Sequence, residues 1–279
     1  MGARSGGEVL REPDGLAGAR PGDEGRRRML GRELLLVLAL SLGASAVSAV
    51  ISFTRVVTAP GGLSDHAATL NRSRGDQPWI DLAWQVFGIA TALVPVLLVA
   101  HLLYRENPGG TTGPGLRGLG FDLTRPGTDL ARGALVAAAI GGSGLALYLA
   151  AQAAGLNLTV VPEALPGVWW KVPVLIAAAV QNAVVEEVIV VGYLLHRLHQ
   201  IGWTPVAALA ASALLRGTYH LYQGIGGFVG NIVMGVVFVW LYRRWGRVMP
   251  LVVAHALIDI VAFLGYALLA GKVGWLPTA

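Results

Sequence analysis

Apolar residues run along this chain in blocks of about 20, parted by short polar stretches in which arginine and glycine collect. The blocks fall at 34–54, 80–103, 129–153, 168–195, 204–222, 226–242 and 248–270, and each is long enough to cross a bilayer as a helix. The pattern predicts an all-α polytopic transmembrane helix bundle of about seven spans. Residues 1–32 hold almost no large apolar side chains and end in Arg26, Arg27, Arg28 and Arg32, which predicts a flexible basic tail. Residues 33–154 are then accessory transmembrane helices, with NPGGTTGPGLRG (107–118) as a glycine-rich linker, and 155–279 form a four-helix core.

Composition strengthens this reading. The chain of 279 residues is 54% hydrophobic and 13% charged, with a mean hydropathy of +0.61, outside the range of soluble domains. It contains no cysteine, which excludes disulfides, thiolate nucleophiles and thiolate metal sites. The net charge of +5 is carried by arginines at the ends of apolar runs, with no basic stripe interleaved with aromatics, so nucleic acid is not expected as a partner.

Those arginines predict topology, because cytoplasmic loops carry the excess of positive charge. The tail, the loop with Arg105, Arg117 and Arg125, the turn with Arg197 and the turn with Arg243, Arg244 and Arg247 fall on one side. Only Arg55, Arg72, Arg74, Lys171 and Lys272 fall on the other. A multi-pass protein of the cell membrane follows, its N-terminus cytoplasmic and its C-terminus outside. A cleavable signal ending in ASAVSA is the competing reading of the first block, but the apolar run continues to Val57, as a retained helix would.

An ionisable side chain near the centre of a span costs about 2.5–3.5 kcal/mol on insertion scales and by default marks a function or a buried pair. The last four blocks concentrate such residues: Glu186 and Glu187, Arg216 and His220, Asn231, then His255 and Asp259. At about 1.5 Å per residue, Glu186 and His220 lie roughly 20 and 24 Å from the cytoplasmic ends of their helices, so these groups can share one layer. A hairpin turning at Gly202 sets Arg216 opposite Val188, within reach of Glu187. Adjacent helical residues point about 100° apart, so one carboxylate can pair with Arg216 while the other faces the histidines. Helix–helix glue is the plain alternative for any one of them. His101, His196 and His199 sit at span ends and His66 in a loop, where no special role is needed.

A desolvated carboxylate beside a histidine can activate water and return the proton to a leaving amine, while imidazole or amide donors hold an oxyanion. Peptide hydrolysis without a covalent intermediate fits that set. The segments EEVIVVG (186–192), RGTYH (216–220), NIVMG (231–235) and HALID (255–259) follow one another in that order. They resemble the four motifs of the CPBP family of intramembrane endopeptidases, the type II CAAX prenyl endopeptidase and bacteriocin-processing (Abi) group.

The resemblance implies Glu186 as the water-activating base, His220 as its partner, and His255 with Asp259 on the oxyanion side. Glu187, Asn231 and Arg216 support them. It also implies a membrane-associated protein or peptide as substrate. Two departures matter. One is Asp259, whose ionised carboxylate would repel an oxyanion and which is expected instead to be protonated or to orient His255, with Asn231 supplying an amide donor. The other is Val191, which stands where the first motif has arginine, while Arg216 stands where the second has phenylalanine. The cation is therefore expected to have moved to the neighbouring helix. No cofactor is expected, zinc on the Glu, His and Asp groups being the alternative. A silent membrane scaffold or immunity protein and a polar-site transporter are the rival functions.

Overall fold

The computed structural model describes residues 24–61, 63–106 and 115–273. They form helices α1 (Glu24–Ala39), α2 (Leu42–Val57), α3 (Pro78–Ala92), α4 (Val94–Glu106) and α5 (Pro126–Ala153), then α6 (Lys171–Glu186), α7 (Leu194–Gln200), α8 (Pro205–Tyr219), α9 (Ile225–Trp245) and α10 (Met249–Leu269). A π-helical segment, Glu187–Tyr193, joins α6 to α7. Strands β1 (Ala67–Arg72) and β2 (Thr159–Ala164) pair in parallel, Ala67 opposite Thr159.

Among the described residues five helical segments are long and apolar enough to cross a membrane: Pro78–Glu106, Pro126–Ala153, Lys171–Gln200, Ile225–Trp245 and Met249–Leu269. A sixth is formed if α1 and α2, bent by 54°, act together. Large apolar side chains point outward from these helices, Leu135 at 73% and Val261 at 71% exposure. Water would penalise such a surface and hydrocarbon favours it. The protein is a multi-pass membrane protein.

Three features differ from the expectation. Helix α1 starts inside the stretch expected to be flexible, because Leu30, Leu34 and Val37 form a buried face; residues 1–23 of that tail and 107–114 of the linker lie outside the described residues. The first block is broken at Leu40 and Ser41, where the chain turns so tightly that a Cβ at Gly43 would lie 2.7 Å from the Leu38 carbonyl oxygen. The block at 204–222 yields only the 15 residues of α8, about 22 Å of helix against a hydrocarbon core of about 30 Å.

Helix α8 ends early because another segment covers its turn. Asn157 Oδ1 accepts from the backbone N–H groups of Gly226 and Gly227 at 2.9 and 3.3 Å, supplying an N-terminal cap for α9 from outside the helix. Ile225 N–H donates to Leu156 O and Leu158 N–H to Gln223 O. The tight connection passes through Gly224 at φ +103°. Small residues then let α8 and α9 pack backbone to backbone: a Cβ at Gly217 would stand 2.9 Å from Phe228 O, and one at Gly235 3.0 Å from Ala213 Cα.

Two ion-pair clusters fasten the helix ends. Arg197, expected as a loop arginine, is buried, its guanidinium bonded to Glu33 Oε1 at 2.5 Å, Glu106 Oε2 at 2.5 Å and Gln200 Oε1 at 2.6 Å. It ties α1 and α4 to α7. Arg247, between α9 and α10, is held by Asp129 Oδ2 at 2.7 Å and Asp122 Oδ1 at 2.9 Å.

In the second cluster burial raises the pKa of Asp122, but hydrogen bonds from Arg247 and Thr124 outweigh it and bring the carboxyl from its ordinary 3.8 down to about 2. A depressed acid stabilises the fold above its unfolded pKa and loses that contribution as pH falls through the folded value. Between pH 3.8 and about 2 the unfolding temperature of the wild type should therefore fall more steeply than that of Asp122→Asn, measured in the same detergent. Parallel curves would contradict this.

Candidate active site

The buried carboxylates stand at the junction of α6 and the π segment, Glu186 as the last α-helical residue and Glu187 as the first π-helical one. All seven residues from Glu187 to Tyr193 are buried. A π turn widens the helix by a residue and leaves its carbonyls less regularly paired. One of them is satisfied from the neighbouring helix, where Ser212 Oγ donates to Val190 O at 2.8 Å. Gly192 permits the packing beneath, since a Cβ there would stand 2.9 Å from Leu119 Cδ1 and 3.2 Å from Val248 Cγ2.

The two carboxylates have different surroundings, but not in the expected division, because Arg216 and His255 converge on the same one, Glu187. Glu187 is fully buried and takes Arg216 Nη2 on both oxygens, at 2.7 and 2.8 Å. Its Oε1 also meets His255 Nδ1 at 2.6 Å. Glu186 keeps 12% of its side chain exposed. Its contacts all fall on Oε2: Tyr219 OH donates at 2.8 Å, Arg216 Nη1 at 3.4 Å, and His255 Nδ1 lies at 4.0 Å. Its other oxygen, Oε1, is without a partner among the described residues.

Arg216 is where the register of the hairpin places it, and it holds both carboxylates from α8. Its guanidinium lies 5.3 Å from the centre of the Phe238 ring, which completes a dry setting for the charge. Val191 is buried apolar core, and the guanidinium that meets Glu187 comes from Arg216 on α8.

The other expected residues divide. His255 Nε2 faces Asp259 Oδ1 at 3.7 Å, one helical turn away, and Asp259 Oδ2 accepts from Asn182 Nδ2 at 3.5 Å. His220 lies at the end of α8, its Nδ1 3.1 Å from Arg216 O. A carbonyl oxygen only accepts, so this bond assigns the proton to Nδ1 and leaves the Nε2 lone pair free. Its ring packs at 4.7 Å on Tyr219, the residue bonded to Glu186, and it interacts electrostatically with Glu186. Asn231 is not joined to the cluster; its Nδ2 donates to Gly227 O, one turn back along α9.

Tyr219 and Asn182 belong to the site although the sequence reading passed over them. Both carry a signal that helical spacing offers: Asn182 is one turn before Glu186, and Tyr219 is next to His220 and one turn from Arg216.

Residues 168–261 match the family model of the type II CAAX prenyl endopeptidase Rce1-like proteins. The match covers about a third of the chain and is consistent with the CPBP family. The Rce1-like segment runs from just before α6 to the middle of α10, so it contains every residue of the cluster described above. The Rce1-like proteins are a CAAX protease family, and it is to that family that this segment is similar. No curated protein and no solved structure matches the chain.

Glu186, Glu187 and His255 offer ligand atoms that lie within 4.8 Å of one another, close enough for a metal ion. The donor set is poorly suited to one as it stands. Both oxygens of Glu187 are engaged by Arg216, and a cation entering between the carboxylates would meet a guanidinium that burial prevents from leaving toward water.

Proposed function

We propose that the Rce1-like segment is an intramembrane endopeptidase in which Glu186 activates water without a metal ion, acting on peptide bonds of membrane-associated proteins or peptides. The observation that carries this reading is the asymmetry of the two glutamates. Glu187 is fixed on Arg216 and His255, whereas Glu186 has one oxygen held by Tyr219 and the other uncommitted.

In this mechanism Glu186 Oε1 removes a proton from water as the hydroxyl oxygen bonds to the scissile carbonyl carbon, and the carbonyl electrons move onto its oxygen. His220, through its free Nε2, helps to hold that water. His255, as an imidazolium that donates Nδ1–H to Glu187, presents Nε2–H toward the oxyanion, with Asp259 Oδ1 3.7 Å from that nitrogen. Asp259 faces the imidazolium as a nearby counter-charge and accepts from Asn182. Collapse of the tetrahedral intermediate breaks the C–N bond, and the proton held by Glu186 passes to the leaving amine.

Within the cell membrane the reading places the N-terminus in the cytoplasm and the C-terminus outside, supported by the distribution of arginine. Purified protein incubated with a quenched peptide library, with and without a chelator, tests the proposal. Cleavage that survives the chelator and is absent from Glu186→Gln is expected. Cleavage lost to the chelator and restored by zinc would replace it with a metal mechanism.

A further inference from the structure

Helix α1 carries Arg26, Arg27, Arg28 and Arg32 in its first nine residues, and the site described above uses none of them. The helix is pinned at a defined height. Glu33 accepts from Arg197 and from Tyr193 OH, the last at 2.6 Å, which fixes α1 beside the end of the Lys171–Gln200 span. Arg27 reaches the turn that follows that span, so close that a Cβ at Gly202 would stand 3.3 Å from its Nη1. The arginines are therefore level with a turn between helices, at the face of the bundle and not within it.

One face of α1 changes chemistry along its length. Gly25, Arg28, Met29, Arg32, Glu33 and Leu36 line a shallow, open groove along the helix. With Leu40 just beyond, positions 25, 28, 32, 36 and 40 follow the three- and four-residue steps of one helical stripe. Arg28 and Arg32 are exposed, and so are Leu36 and Leu40, at 64% and 67%. The acid in the groove, Glu33, is already neutralised by the buried Arg197. Arg28 pairs with Glu24 in a contact so exposed that it holds little energy, and Arg32 is unpaired among the described residues.

We infer that this stripe is a binding site for an anionic phospholipid, its phosphate on Arg28 and Arg32 and an acyl chain along Leu36 and Leu40. Charge alone would suit many anions. The continuation of the basic face into the exposed Leu36 and Leu40 selects a molecule that is anionic at one end and apolar at the other. Because Glu33 shares the groove and bonds Tyr193 and Arg197, a bound lipid would also steady the docking of α1 on the catalytic span.

The test is a titration of short-chain phosphatidylglycerol into the protein in neutral detergent, read by the rise in unfolding temperature. Each surface arginine contributes about 1 kcal/mol to attraction of an anionic lipid, so Arg28→Gln with Arg32→Gln should raise the half-effect concentration roughly thirtyfold. Arg105→Gln with Arg117→Gln removes the same charge from other exposed sites and should leave the midpoint at the wild-type value. Equal weakening in both double variants would show diffuse attraction instead of a site. No response in the wild type, or an unchanged midpoint in the α1 variant, would also overturn the inference.

Discussion

Glu186→Gln is expected to lower peptide cleavage by about 10² to 10⁴, the range a positioned general base contributes, with little change in stability. Glutamine keeps the shape of the side chain and an oxygen to accept from Tyr219 OH, now at 2.8 Å. It loses the negative charge that takes a proton from water. Glu186 gives Arg216 only its longer contact, at 3.4 Å, so the guanidinium keeps its main partner. Rate and unfolding temperature should consequently separate in this variant, and a matched loss of both would point to a structural role.

The largest effect on stability is expected from Arg216→Leu. The guanidinium is fully buried and offers hydrogen bonds at 2.7 and 2.8 Å to Glu187, itself fully buried. Removing one partner of a buried pair costs about 3–5 kcal/mol, because the remaining charge is left without compensation. Adding Glu187→Gln to Arg216→Leu removes that charge and should recover a large part of the loss. The double variant unfolding well above the single one, by melting in detergent, is the result expected. If the single variant folds and cleaves as the wild type does, Arg216 is not the relocated motif cation.

How much of this was legible beforehand depends on the range of the interaction. Blocks of apolar residues report the helices because a bilayer imposes the same demand on every residue of a span. The hairpin count through Gly202 placed Arg216 against Glu187, since two antiparallel helices joined by a short turn keep a predictable register. Helical phase foretold that Glu186 and Glu187 would differ.

What the sequence did not disclose was set by distant contacts. The π segment depends on Ser212 taking a carbonyl of Val190 and on Gly192 resting against Leu119 and Val248, none of them near in sequence. Helix α8 is short because Asn157, outside the hairpin altogether, caps the start of α9. The parallel strands β1 and β2 join segments separated by three helices, and no periodic pattern announces them. Arg197 has the composition of a loop arginine and the environment of a core residue, because Glu33 and Glu106 converge on it from two other helices.

The measurement that tests the central claim most directly sets Glu186→Gln beside Glu187→Gln and scores both for cleavage per folded molecule and for unfolding temperature. The proposed mechanism gives the chemistry to the first glutamate, whose contacts fall on one oxygen, and support to the second, which is held by Arg216. Glu186→Gln should be stable and inactive, and Glu187→Gln destabilised, through the stranded charge of Arg216, with cleavage persisting in the fraction that folds. Cleavage retained by Glu186→Gln and abolished in folded Glu187→Gln would reverse the roles and contradict the account.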